Sequence, residues 1–333
     1  MKRLLQRMGL AAGALLAALL LAELAARVSG RAPEMSLISV GRFQLSPNPK
    51  LGYEPVPDFE YHGKQLYYFE FRGRSNRLGF RDRDREPAKP AGTYRVLVLG
   101  DSITMGLGVD RTEDVFTHVL ERELRGRGFS AEVLNFGVSG YNTQQEVEIL
   151  ADKGLAFAPD LVILAYCLND TLQMNGGIIS QLRERERQAP GVAHYQLAPW
   201  LARSALYRLI RARFYSDRIV EKRVQHYRDL KADTVEPSLK KLRRLADENG
   251  FEVLVAVLPA DQDRGSPEQY AQIAERAAAQ GLPHLDLRAA FEQCAAAGEN
   301  LYNDSWHPSA AGHACLGRAL AEHLAASGKL PPL

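Results

Sequence analysis

The chain has 333 residues, 46% of them hydrophobic and 25% charged, with a formal net charge of +2. This is a globular composition, long enough to bury a substantial core in one main domain with additions. So small a charge, with no basic stripe interleaved with aromatics, excludes a nucleic-acid binder.

The chain opens with Lys2, Arg3 and Arg7, followed by the uncharged apolar stretch Met8 to Ala22 and then Glu23 to Val28. Residues 1–30 read as a membrane-targeting segment. Its uncharged core sits at the upper limit of a signal peptide, and extension to Val28 reaches the roughly 20 residues a spanning helix needs. The best small-residue cleavage site, Val28-Ser29-Gly30, lies well beyond the apolar core. The expectation is therefore an uncleaved anchor with Glu23 and Arg27 paired on one helix face, secretion after cleavage being the alternative. In either case the basic flank keeps the N-terminus cytoplasmic and the bulk of the chain outside, in the periplasm or beyond.

Residues 31–92 form an extension and linker. Pro47, Pro49, Pro55 and Pro57 interrupt any helix, and Tyr67, Phe69 and Phe71 alternate with Tyr68 and Glu70 as in a short hairpin. Pro87, Pro90 and Gly92 mark the linker to the core. From residue 93 to about 330, short β-rich runs alternate with helical stretches, the pattern of a parallel α/β sheet. The strands are expected at Tyr94 to Leu99, Glu132 to Asn135, Leu161 to Tyr166, Phe251 to Leu258 and His284 to Leu287. Helices are expected near Asp114 to Arg125, from Thr143 with Glu146 completing a capping box, and from Ser309 as cap to about Ala326. Between the third and fourth strands the spacing is too long for one crossover helix. An insertion of about 171–235 is expected to carry amphipathic helices, with Tyr207, Leu209, Ile210, Phe214 and Ile219 at helical spacing beside Arg208, Arg211 and Arg213. It reads either as a rim over the site or as a supporting cap.

Cys167, Cys294 and Cys315 are too few for a disulfide scaffold and too scattered for a metal site, so stability rests on the core. A bridge between Cys294 and Cys315 stays open for an oxidising compartment.

Gly100-Asp101-Ser102-Ile103-Thr104 stands at the end of the first strand, and Asp304-Ser305-Trp306-His307-Pro308 near the C-terminus. A serine hydroxyl needs an imidazole to take its proton and a carboxylate to hold that imidazole in the right tautomer. Asp304 and His307, three apart, can do this within a single turn. Ester cleavage also places negative charge on the former carbonyl oxygen and requires donors aimed at it. Asn135-Phe136-Gly137-Val138-Ser139-Gly140 after the second strand and Asn169-Asp170 after the third could supply them. Asp101 reads as a loop-organising acceptor and Asp170 as a brace. His62, His118, His194, His226, His284, His313 and His323 read as structural or surface residues.

At these segments the chain resembles the SGNH, or GDSL-type, hydrolases. The resemblance implies Ser102 as nucleophile, Asp304 and His307 as its partners, and an oxyanion hole from Ser102, Gly140 and Asn169. It covers roughly Arg95 to the C-terminus apart from the insertion, with one departure: Cys167 stands where the family often has glycine. The implied fold is a flavodoxin-like, three-layer α/β/α sandwich on a parallel five-stranded sheet. Ser75-Asn76-Arg77-Leu78-Gly79-Phe80-Arg81 looks like a segment that precedes the hydrolase domain in a membrane-anchored bacterial subgroup. The implied function is a serine esterase for acetyl or other short-chain acyl esters, on an acetylated polysaccharide or a lipid, with no metal or organic cofactor. An O-acyltransferase acting on an envelope polysaccharide would use the same residues, and a non-catalytic carbohydrate-binding or assembly module is the third reading.

Overall fold

The computed structural model describes residues 2–29, 42–61, 73–171, 178–179, 182, 204–207, 209–210, 234–259, 267–304 and 306–332. The aromatic hairpin expected around Tyr67 to Phe71 and most of the insertion lie outside these residues. Helix α1 (Lys2–Val28) contains a stretch, Gln6–Val28, with mean hydropathy 2.0, long and apolar enough to cross a membrane. Glu23 and Arg27 pair on it as expected, at 2.7 Å.

Two short antiparallel pairs follow, β1 (Phe43–Leu45) with β2 (Tyr53–Pro55) and β3 (Glu60–Tyr61) with β4 (Gly73–Arg74). The central sheet comprises β5 (Tyr94–Gly100), β6 (Ala131–Gly137), β7 (Leu161–Tyr166), β8 (Glu252–Val257) and β9 (His284–Asp286). Its order is β6-β5-β7-β8-β9 and every pairing is parallel. The chain thus starts inside the sheet, steps to one edge and returns to build the other, the flavodoxin-like doubly wound order.

Helices follow from the crossovers such a sheet needs: α2 (Ser102–Met105), α3 (Phe116–Gly126), α4 (Thr143–Asp152), α5 (Val235–Asn249), α6 (Pro267–Ala279), α7 (Arg288–Ala296) and α8 (Ala310–Ala326). Alternation along β5 divides the core. Val96 and Val98 join Phe116, Leu120 and Leu316 under α3 and α8, while Leu97 and Leu99 join Leu150, Leu239 and Leu242 under α4 and α5. All four β5 residues are fully buried, worth about 1.5–3 kcal/mol each against exposure. This explains why the central strands read as continuous apolar runs. At Gly317 on α8, an added Cβ would lie 2.6 Å from the Val119 side chain, so glycine lets α8 approach α3.

Two local expectations are revised. The capping box of α4 sits one residue earlier than Thr143 and Glu146: the Asn142 side chain accepts from the Gln145 amide at 3.1 Å, and Gln145 answers the Asn142 amide. Asparagine accepts as well as threonine at an N-cap, and the shift turns Glu146 into the core instead of the cap. Cys294 and Cys315, left open by their spacing, are joined as a disulfide that ties α7 to α8, and Cys167 is free and buried.

The extension packs directly against the domain. Arg81, fully buried, donates to the carbonyls of Gly106, Val109 and Asp110 at 2.6, 2.7 and 2.9 Å. Tyr53 donates its hydroxyl to the Ser139 carbonyl at 3.0 Å, Tyr141 returns one to the Tyr53 carbonyl at 2.6 Å, and their rings meet edge-on. Both turns held in this way lie at the carboxyl edge of the sheet.

Candidate functional site

Strands β5 and β6 end side by side, Gly100 opposite Gly137, and the Val138 amide continues the ladder to the Gly100 carbonyl. Beyond them the chain must turn sharply. Asp101 caps α2 by accepting the Ile103 amide at 2.8 Å, which sets Ser102 on the first helical residue. The turn sits tightly on β6: a Cβ on Gly137 would lie 2.3 Å from the Met105 nitrogen. Asn135 holds it from below, donating to the Thr104 carbonyl at 2.7 Å and to Thr117 at 3.1 Å, while its own oxygen accepts the Gly137 amide at 2.9 Å.

The segment carrying Asp304 and His307 joins α7 to α8 and is pinched by a bridge between Tyr302 and Pro308. The Asn303 amide donates to the His307 carbonyl at 2.8 Å, and its side chain reaches the Gly108 carbonyl at 3.0 Å, fastening this loop to the one after α2. Asp304 Oδ1 accepts the amides of Trp306 and His307 at 2.8 and 2.7 Å. Its Oδ2 lies 2.9 Å from His307 Nδ1, and His307 Nε2 lies 3.0 Å from Ser102 Oγ. Hydroxyl, imidazole and carboxylate are therefore in line within hydrogen-bond reach, 205 residues apart in sequence. Partial burial pushes the Asp304 carboxyl up, but the His307 ring and the two amides overcome it and hold it down at about 2. The carboxylate is thus ionised at neutral pH, the state that favours a proton on Nδ1 and leaves Nε2 free to accept from Ser102.

Gly140 adopts φ of 82°, a left-handed conformation suited to glycine, in the turn after β6. Among the described residues neither its amide nor that of Ser102 donates to any group. Asn169 lies in the 3₁₀ turn Leu168–Thr171 after β7, and its Nδ2 donates to Asp101 Oδ2 at 2.9 Å. The structure thus brings Ser102, Asp304 and His307 together. Gly140 and Asn169 stand on the turns after the two strands flanking β5.

Behind the Ser102 turn lies a set of acids that sequence reasoning did not assemble. Asp101, Glu146 and Asp170 are all buried, and among the described residues both oxygens of Glu146 and one of Asp170 lack a hydrogen-bond partner. Burial, and then the Asp101 carboxylate, raise the Glu146 carboxyl well above its ordinary value. Burial with Glu146 and Asp101 does the same for Asp170. Asp170 still braces its loop, accepting the Cys167 amide at 3.0 Å. Two histidines gain partners that the sequence did not reveal. His118 Nε2 is 3.2 Å from Asp82, and fully buried His313 accepts the Phe116 amide on Nδ1 at 3.1 Å. Burial lowers His313 to about 3, so it is a neutral structural acceptor. Among the described residues no cluster of histidine, cysteine and acids could hold a metal ion.

A doubly wound parallel sheet with a hydroxyl–imidazole–carboxylate line at its carboxyl edge defines the class, an α/β serine hydrolase acting on ester bonds. The profile of the GDSL-like Lipase/Acylhydrolase family matches residues 98–315, about two thirds of the sequence, and the chain belongs to that family. Similar solved structures include the lipase/acylhydrolase from Enterococcus faecalis, 19% identical, covering 72% of this chain and 98% of its own, with a TM-score of 0.45. An acetyl xylan esterase is 16% identical over 70% of this chain and 98% of its own, TM-score 0.43. A two-domain esterase active on acetylated mannans is 17% identical over 71% of this chain and 50% of its own, TM-score 0.46. No curated protein matches in sequence.

Proposed function

We propose that the protein cleaves acyl esters by two-step acyl transfer through Ser102, His307 and Asp304, from a domain held outside the cytoplasmic membrane by α1. The observation that carries this reading is the 3.0 Å approach of Ser102 Oγ to His307 Nε2, with Asp304 at 2.9 Å on the other ring nitrogen. His307 takes the hydroxyl proton as Ser102 attacks the ester carbonyl, and Asp304 stabilises the imidazolium that forms. Charge on the carbonyl oxygen is met by the Ser102 and Gly140 amides and by the Asn169 carboxamide. His307 then returns the proton to the leaving alcohol, and a water, deprotonated by the same imidazole, releases the acid. The two unbonded amides support this role, since an oxyanion hole needs donors not already engaged.

Hydrolysis of acetyl, butyryl and octanoyl p-nitrophenyl esters, compared with Ser102→Ala, tests the reading. The substitution is expected to lower kcat by three or more orders of magnitude. A loss below about tenfold removes Ser102 as the nucleophile. The chain-length profile assigns the acyl group.

A further inference from the structure

Glu23 stands where a carboxylate is costly. The uncharged stretch Met8 to Ala22 spans about 22 Å at 1.5 Å per residue, less than the ~30 Å of a bilayer's hydrocarbon core. With Arg7 at the inner boundary, Glu23 falls about 6 Å inside the outer edge of the hydrocarbon, a depth at which an acidic side chain needs partners. The structure supplies them from more than 180 residues away. The Ser204 hydroxyl donates to Glu23 at 2.7 Å, and the Ala205 and Leu206 amides both donate at 2.9 Å. Arg27 Nε donates to the same carboxylate from the turn above at 2.7 Å. Ala205 is 1% exposed and Ala26, one turn beyond Glu23, 5%, whereas Leu24 on the opposite side is 58% exposed. Ala205 is thus buried at the Glu23 contact, and most of α1 is left open.

The depth of Glu23 fixes the depth of whatever caps it. Ser204, Ala205 and Leu206 must reach the membrane boundary, and the residues that follow suit that place. Ile210 is 49% exposed, and Leu206, Tyr207 and Leu209 are only partly buried. In sequence Arg208 stands among them and Arg211 and Arg213 follow, the mixture of apolar, aromatic and basic residues found in segments that lie in a bilayer interface. We infer that Ser204–Tyr207, with Leu209 and Ile210, is a membrane-surface contact, clamped by Glu23 to the outer end of α1 and resting on phospholipid. The inference rests on α1 being an uncleaved anchor.

The full chain, reconstituted in vesicles of phosphatidylcholine and phosphatidylglycerol, carries an environment-sensitive fluorophore at Ile210→Cys or, as a reference, at Lys329→Cys. Nitroxide-labelled lipids are expected to quench the first probe at least threefold more than the second. Glu23→Ala is expected to halve that quenching or more while leaving p-nitrophenyl acetate hydrolysis unchanged. An unquenched Ile210 probe on protein that sediments with the vesicles overturns the surface contact, and quenching indifferent to Glu23→Ala overturns the clamp. Protein that does not sediment overturns the anchor itself.

Discussion

Asp304→Asn is the most demanding test of the relay, because the structure dictates which way the new amide must point. Asp304 Oδ1 accepts two backbone amides, from Trp306 and His307, at 2.8 and 2.7 Å. Those donors would hold the carboxamide oxygen in the Oδ1 position, since an NH2 group cannot accept. The NH2 must then occupy the Oδ2 position, 2.9 Å from His307 Nδ1, while the oxygen, 3.0 Å from the same nitrogen, has both lone pairs engaged by the two amides. Facing a donor, Nδ1 becomes the acceptor and the ring proton moves to Nε2, 3.0 Å from Ser102 Oγ, where the imidazole can no longer take the hydroxyl proton. The turn itself survives, so the fold should not change. A wrong-tautomer relay of this kind costs about 10⁴ in kcat, or roughly 5.5 kcal/mol of transition-state stabilisation. Steady-state hydrolysis of p-nitrophenyl acetate, with circular dichroism to confirm the fold, measures it. Retention of more than about a tenth of kcat in a folded variant would refute the reasoning, for it would mean that the Nδ1 contact does not set the tautomer.

Asn169→Ala is expected to lower kcat by about 10²–10³ with little change in KM, the cost of one oxyanion donor; a purely KM effect in ester hydrolysis would reassign it to substrate binding. His313, held at about 3, stays neutral in the fold while the unfolded chain takes up a proton below about 6.5. Stability should therefore fall as pH drops from 6.5 towards 3, by up to about 4–5 kcal/mol; His313→Gln, which keeps an acceptor for the Phe116 amide, should flatten that limb of urea midpoint against pH, and an unflattened limb would assign it to other groups. Glu146, raised well above its ordinary value, behaves oppositely: its contribution is full below about 4.5 and lost as pH rises through its folded value. Glu146→Gln should leave activity intact and flatten the alkaline limb, and an equal loss of stability at every pH would show that the acid fills a packing role only.

The sheet was legible because its central strands are buried on both faces. Tyr94 to Leu99 and Leu161 to Tyr166 read as unbroken apolar runs, and the strands found, Tyr94–Gly100 and Leu161–Tyr166, depart by at most one residue. The grouping of Ser102, Asp304 and His307 was legible because their neighbours are: a strand end before the serine and a three-residue interval between acid and imidazole. What stayed hidden depends on contacts between segments distant in sequence. Nothing in Arg81 shows that it will serve three carbonyls beyond α2, and nothing in Tyr53 shows that it will hold the turn carrying Gly140. Glu146 was read as a cap because the interval from Thr143 suits one. Only the position of Asn142 at the crossover reveals that the box begins earlier.

The buried acids bear on how the oxyanion can be stabilised at all. A carboxylate near a developing negative charge opposes it, and three in one dry region would oppose it strongly. Burial and mutual repulsion drive Glu146 and Asp170 towards their neutral forms, so the region carries less charge than its composition suggests. Asp101 meanwhile accepts the Ile103 amide that shapes the Ser102 turn and one N–H of Asn169, with the Ser102 hydroxyl 3.5 Å away. Each bond draws its field towards a partner, and the second fixes the carboxamide whose remaining N–H the proposed mechanism uses. The same residue thereby sets Ser102 and Asn169 relative to each other. The Gly140 turn is set independently, by Tyr53 of the N-terminal extension and its partner Tyr141. The domain alone, cut at Arg85, would keep Ser102, His307 and Asp304 yet lose the contacts that Arg81 and Tyr53 make with both turns.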